Sequence, residues 1–156
     1  MSEDKAAAGG EIVGFIWDII DFDDQHYNKV SVGNATDFAW QIGPTQEHHG
    51  KIRKWGKSKL EPGEGTTFYM NRYLMGVDLE VTLRYKKLDD SNDYNDVLYI
   101  YASVPNVGEN KYDIHLGDAY KDKYRVIENG WFERNMRGAA SMQCDIYVSV
   151  QGECSI

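Results

Sequence analysis

Residues Val77 to Tyr85 (V-D-L-E-V-T-L-R-Y) alternate apolar and polar side chains without a break. Successive side chains of an extended strand point to opposite faces. The spacing therefore puts Val77, Leu79, Val81, Leu83 and Tyr85 on one face and Asp78, Glu80, Thr82 and Arg84 on the other. A strand with one apolar face has to bury it against a second layer while the other face stays wet. The rest of the chain repeats this theme in short pieces. Val97 to Ala102 is an apolar, aromatic run that ends in the turn Pro105-Asn106-Val107-Gly108, and a second extended run follows toward Ile127. Runs rich in Val, Ile and Tyr, bounded by Pro, Gly and Asn, read as strand, turn and strand.

Other segments fit the same scheme. Ile12 to Phe22 is nearly all apolar, too short to span a membrane and too β-branched for a comfortable helix, which predicts a buried strand. Lys29 to Trp40 predicts another, with Gly33 and Asn34 as a bulge or twist point and Gly43-Pro44 as its stop. Thr66 to Leu74 extends from the Pro62-Gly63 turn, with Met75-Gly76 as a tight connection and Lys87 to Asn95 as a polar turn. Glu128 to Phe132 reads as a turn, the stretch through Gly138 as irregular, and Ser141 to Gln151 as a strand with Cys144, Ile146, Val148 and Val150 inward. Short strands with turn signals about every ten residues predict an all-β fold, an antiparallel two-sheet β-sandwich.

A chain of 156 residues fits one domain, expected over residues 11–156 behind a loose tail at residues 1–10. No apolar run approaches the roughly 20 residues a spanning helix needs. The opening residues are acidic and lack an apolar core, so a Sec signal peptide is not expected, and the chain reads as soluble. The formal net charge of −8 sets the protein against nucleic-acid phosphates and anionic lipid surfaces. A membrane target would therefore present a zwitterionic or neutral headgroup. The two cysteines, Cys144 and Cys154, read as free thiols or as a disulfide closing a short loop; spacing does not choose between them.

The segment Thr45 to Lys59 gathers Lys51, Arg53, Lys54, Lys57 and Lys59 around Trp55 in an otherwise acidic chain. It reads either as a solvated loop balancing nearby carboxylates or as a phosphate-contacting face with Trp55 at a headgroup boundary. No catalytic role is expected. His48 and His49 are adjacent on an extended chain and should point apart, so with Glu47 they do not converge on a metal. Asp113 and His115 share a strand face, but no nucleophile motif or third ligand accompanies them, and no cofactor is implied. His115 could instead tune binding with pH.

Four pieces of the sequence together resemble the aegerolysin family, including the small aegerolysin-like component of binary insecticidal crystal toxins. They are the opening run Phe15-Ile16-Trp17-Asp18-Ile19-Ile20, the strand ending in Trp40 before Gly43, and Pro62 followed by a strand and the Gly76 turn. The fourth is the aromatic strand leading to Pro105, Gly108, Asn110-Lys111-Tyr112-Asp113 and His115, which is similar to an Asn-Lys-Tyr-Asp-Gly-His run of the crystal-toxin component. The match runs from about Ile12 to Val150. Two positions depart: Met75 stands where family members that select ceramide phosphoethanolamine carry Glu, and Asn106 stands where the loop tryptophan would be.

The resemblance implies an aegerolysin-like sandwich that recognises a sphingolipid- or sterol-containing bilayer. It also implies the docking subunit of a two-component pore-forming cytolysin or insecticidal toxin, with a larger partner of the membrane-attack-complex/perforin type. Such a protein would be held in the producer's cytoplasm or released by a non-Sec route, and would act at the target membrane. Lipid contact then falls to Trp17, Trp40, Trp55, Met75, Tyr99, Tyr101, Asn106, Lys111, Tyr112 and Trp131. The aromatics would wedge at the headgroup boundary, Lys111 would pair with a phosphate, and Asn106 would hydrogen-bond polar headgroup atoms. Trp17 and Trp40 equally fit a core, and Tyr99 and Tyr101 equally fit cross-strand pairs. A β protein with exposed aromatics can also form a homodimer through its binding edge. The alternative reading is a carbohydrate-binding sandwich, in which exposed Trp and Tyr stack on sugar rings beside Asn and Asp.

Overall fold

A computed structural model describes residues 27–71, 78–136 and 139–151, and of residues 129–136, 139–141 and 144 the backbone alone. The predicted strands at Ile12 to Phe22 and the Met75-Gly76 connection, like Trp17, Met75 and Cys154, lie outside the described residues.

The alternating segment is the centre of one sheet. It forms β7, Leu79–Lys87, with Leu79, Val81, Leu83 and Tyr85 buried as the period-two pattern requires. On one side β7 pairs antiparallel with β8, Asp96–Val104, which turns into β9, Lys111–Leu116. Its other edge carries two short strands in succession, β2, Trp40–Ile42, and β3, Gln46–His49. A two-residue strand β5, Lys59–Leu60, completes this sheet on β2.

The second sheet runs β10-β11-β1-β6-β4. Its strands are β1, Tyr27–Ala35; β4, Ile52–Lys54; β6, Gly65–Asn71; β10, Tyr124–Met136; and β11, Ala139–Val150. Pairing is antiparallel except between β1 and β11, which run parallel, so this sheet is mixed. The two layers meet through Val30, Val32, Phe68, Met70, Ile146 and Val148 on one side and Trp40, Leu83, Tyr85, Leu98 and Ile100 on the other. Each such aliphatic or phenyl side chain contributes about 1.5–3 kcal/mol when fully buried. Asn28 pins the layers together near one end. Its amide donates to the carbonyls of Leu79 (3.2 Å) and Ala102 (3.1 Å) on the facing sheet.

Three expectations are corrected. The run Lys29 to Trp40 is not one strand: β1 ends at Ala35 and Trp40 opens β2 in the other sheet. The reason is Asn34, whose carboxamide oxygen accepts the Thr36 N–H (2.9 Å) and hydroxyl and bends the chain. Its amide donates to the carbonyls of Phe38 (2.9 Å) and Leu60 (3.0 Å), so this buried side chain organises the crossover. No bulge occurs at Gly33 or Asn34, which keep regular register with β11. Glu128 to Phe132 does not turn, and the stretch through Met136 is not irregular. Both lie in β10, where Asn129 pairs with Asp145 and Phe132 with Gln143. Gly130 and Trp131 thus face a single residue of β11, a bulge that absorbs what the sequence presents as a turn signal. Between β9 and β10 lies a short 3-10 turn, Asp118–Tyr120. Among the described residues no helix is long and apolar enough to cross a membrane.

Candidate functional site

One end of the sandwich carries the β8–β9 connection, residues 105–110. Gly108 has φ +106°, in the left-handed region, and a Cβ there would meet nothing within 4 Å. Conformation alone therefore calls for glycine at this point. The loop is tied to the start of β7 by the Asn106 N–H, which donates to Asp78 Oδ1 at 2.6 Å. Anchored this way, it holds Val107 outward with 84% of the residue exposed. Lys111 and Tyr112 follow at the start of β9, Lys111 exposed and Tyr112 with 45% of its surface open. The β3–β4 turn abuts this end, since a Cβ on Gly50 would lie 3.0 Å from the Asp78 carbonyl. The tip thus joins an apolar valine and a tyrosine to amide and lysine groups on a backbone fixed at both ends.

A second feature covers the outward face of β7, β8 and β9. Register there sets Arg84, Tyr99 and His115 side by side, then Thr82, Tyr101 and Asp113, then Glu80, Ser103 and Lys111. The Tyr99 and His115 rings stack with centroids 4.6 Å apart and planes 17° apart. Arg84 Nε donates to both Asp96 carboxylate oxygens at 2.9 Å, and its guanidinium lies 4.6 Å from the centre of the Tyr94 ring. The Tyr101 hydroxyl donates to Glu80. Burial and that carboxylate push it above the ordinary tyrosine range.

The contact residues expected from the sequence do not share one surface. Trp40 is a correction: it is fully buried, its indole N–H donates to Thr36 Oγ1 (3.1 Å), and its ring leans on Tyr85. A side chain sealed between two sheets reaches no lipid. Tyr99 and Tyr101 face outward on the middle of a sheet, Asn106 lies in the tip loop, and Lys111 and Tyr112 start β9 on opposite faces, across from Ser103 and Ala102. Trp55 lies beyond β4, half-exposed, with its ring edge-to-face on Phe68. Trp131 sits in the bulge of β10, on the edge strand of the mixed sheet. The basic segment is largely balanced by nearby carboxylates. Lys57 reaches Glu64 at 3.3 Å, Lys59 reaches Glu61 at 2.9 Å, and Lys51 lies 3.9 Å from Glu47.

The two adjacent histidines also depart from expectation. A register shift between Glu47 and His49 places both on the same side of β7, where His48 Nε2 hydrogen-bonds Thr82 Oγ1 (2.7 Å) and His49 Nε2 lies 3.4 Å from Glu80. A bulge cancels strand alternation. Asp113 and His115 share a face, as their spacing predicts, with 3.8 Å between carboxylate and ring nitrogen. Among the described residues no group of three or more His, Cys, Asp and Glu side chains is arranged to hold a metal ion. Sequence reasoning missed Tyr94, 71% exposed, because it falls in a segment whose polarity signals only a turn.

No protein-family model matches the sequence, and no curated protein sequence matches it. Its architecture is similar to the crystal structure of the lipid-binding protein Nakanori. The TM-score is 0.50 over 81% of this chain and 72% of that one, with 11% of residues identical. The likeness is one of fold.

Proposed function

We propose that this protein is a lipid-binding β-sandwich of aegerolysin type that docks on membranes through the tip between β8 and β9. The observation that carries the reading is Val107, an apolar side chain 84% exposed on an anchored loop, with Lys111 and Tyr112 exposed on opposite faces of the strand that leaves it. An aliphatic and an aromatic side chain next to a lysine match the headgroup boundary, where apolar bodies sink and charged tips stay wet. The net charge of −8 rules out attraction by bulk electrostatics, so the headgroup is zwitterionic or neutral, with a sphingolipid or sterol-rich surface as the first choice. The fold likeness to a lipid-binding protein supports this reading, as does the sequence resemblance. The resemblance extends the proposal to a larger perforin-type partner recruited to the bound protein.

The test is flotation with vesicles of phosphatidylcholine alone and with added sphingomyelin and cholesterol, ceramide phosphoethanolamine, or phosphatidylserine. Binding to a neutral or zwitterionic sphingolipid surface, lost in Val107→Asp, is expected. Absence of binding to every composition overturns the proposal. Dye release that requires a perforin-type protein encoded beside this one would extend it to the two-component role.

A further inference from the structure

We propose that the outward face of β7, β8 and β9 is a second binding site, separate from the tip, and that it takes an uncharged, hydroxyl-rich ring: a neutral saccharide. Two adjoining hollows of about 510 and 310 Å³ lie on this face and share Tyr94 and Tyr99 as a common wall. Both volumes fall within the roughly 300–1,000 Å³ of small-molecule sites. The outer face of a sandwich is ordinarily left to charged and polar side chains, yet Tyr94, Tyr99 and Tyr101 all line these hollows. Tyrosine offers a flat apolar face for the C–H side of a ring and a hydroxyl for its edge.

The side chains here are held before any ligand arrives. Tyr99 stacks on His115, Tyr101 is tied to Glu80, and His48 to Thr82. Arg84 supports the Tyr94 ring while leaving 71% of that residue open. Binding to groups already fixed by their neighbours loses little further conformational freedom.

Charge decides the class of ligand. The cations that line the hollows already have carboxylate partners within them. Arg84 is bound by both oxygens of Asp96 at 2.9 Å, and Lys121 lies 2.7 Å from Asp118. A phosphate would have to displace Asp96 from Arg84, the pair that is largely shut off from water. Neutral hydroxyls instead add to hydrogen bonds the pairs leave open. A saccharide reaches the site free in solution or as the headgroup of a neutral glycolipid; the chemistry is shared.

The experiment probes an array of neutral and anionic glycans with the full chain. Titration of the best neutral oligosaccharide follows, and then flotation on vesicles with and without a neutral glycosylceramide. Binding to a neutral glycan that varies little with salt is expected, weakened about tenfold or more in Tyr94→Ala and Tyr99→Ala. Tyr94→Phe, which keeps the stacking face, should retain most of it, and Val107→Asp should leave it unchanged. In the Val107→Asp chain, whose tip docking is removed, binding to glycolipid vesicles supports the site when free oligosaccharide competes it away and counts against it when competition fails. The proposal is overturned if no neutral glycan binds, if only anionic glycans do, or if both alanine variants bind as the original chain does. None of those results touches vesicle docking through the tip, because Val107→Asp reads that separately.

Discussion

Trp40→Ala separates a core role from a contact role. Trp40 is fully buried against Tyr85 and donates its indole N–H to Thr36 Oγ1. Truncating a buried tryptophan costs about 3–5 kcal/mol through lost transfer energy and the cavity left behind. Losing the hydrogen bond places this site in the upper half of that range, since Thr36 also supports the Asn34 crossover. For a chain of 156 residues each kcal/mol lowers the melting temperature by about 2–4 °C, so the expected drop is on the order of 8–20 °C. Trp40→Phe keeps most of the buried ring and loses the indole N–H. A cost of about 1–3 kcal/mol is expected, leaving enough folded protein to assay. Thermal unfolding by circular dichroism gives the stability, and flotation of the Phe variant gives binding per folded molecule. Melting of Trp40→Ala within about 2 °C of the original chain, or normal stability of Trp40→Phe with lost vesicle binding, would refute the assignment of Trp40 to the core.

Other outcomes follow from the same geometry. Val107→Asp should weaken vesicle binding about tenfold or more, since a buried valine is worth about 1.5 kcal/mol or more at a lipid boundary. Its melting temperature should hardly move, because the residue is 84% exposed. Asn34→Ala removes the partner of two carbonyls, one N–H and one hydroxyl, and should cost about 3 kcal/mol in a urea titration; a loss under about 1 kcal/mol counts against its role as the crossover hub. Burial and donation to Asp37 push the Tyr124 hydroxyl up to about 12, from an ordinary value of 10.0. A raised value favours the neutral folded form. Its stabilisation is therefore complete below pH 10.0 and is lost as pH climbs through about 12. The fall in urea midpoint between pH 9 and pH 11 should be smaller in Tyr124→Phe; equal slopes would contradict this. The same bond holds the Asp37 carboxyl below its ordinary 3.8, so that contribution is present above 3.8 and fades on further acidification.

The all-β class, the two-layer plan, β7 with its inward Leu79, Val81, Leu83 and Tyr85, and the strand–loop–strand around Pro105 were all legible in the chain. They were legible because a period of two, a proline and a left-handed glycine act within a few residues of themselves. Long-range pairing decided the rest. Gly130-Trp131 reads as a turn in one dimension, yet becomes a bulge when β11 pairs on both sides of it. His48 and His49 should diverge, but a slipped register against β7 brings them to one side. Trp40 could have been surface or core, and only the closing of a second sheet over it settles which. Tyr94 lies in the turn after β7 and carries no local signal of its own; the Arg84 side chain of β7 makes it a wall of the outer face. Local spacing fixes which side of a strand a residue occupies. Which sides are sealed, and which distant rings share a face, depends on strand order and register, whose free energy comes from partners far away in the chain.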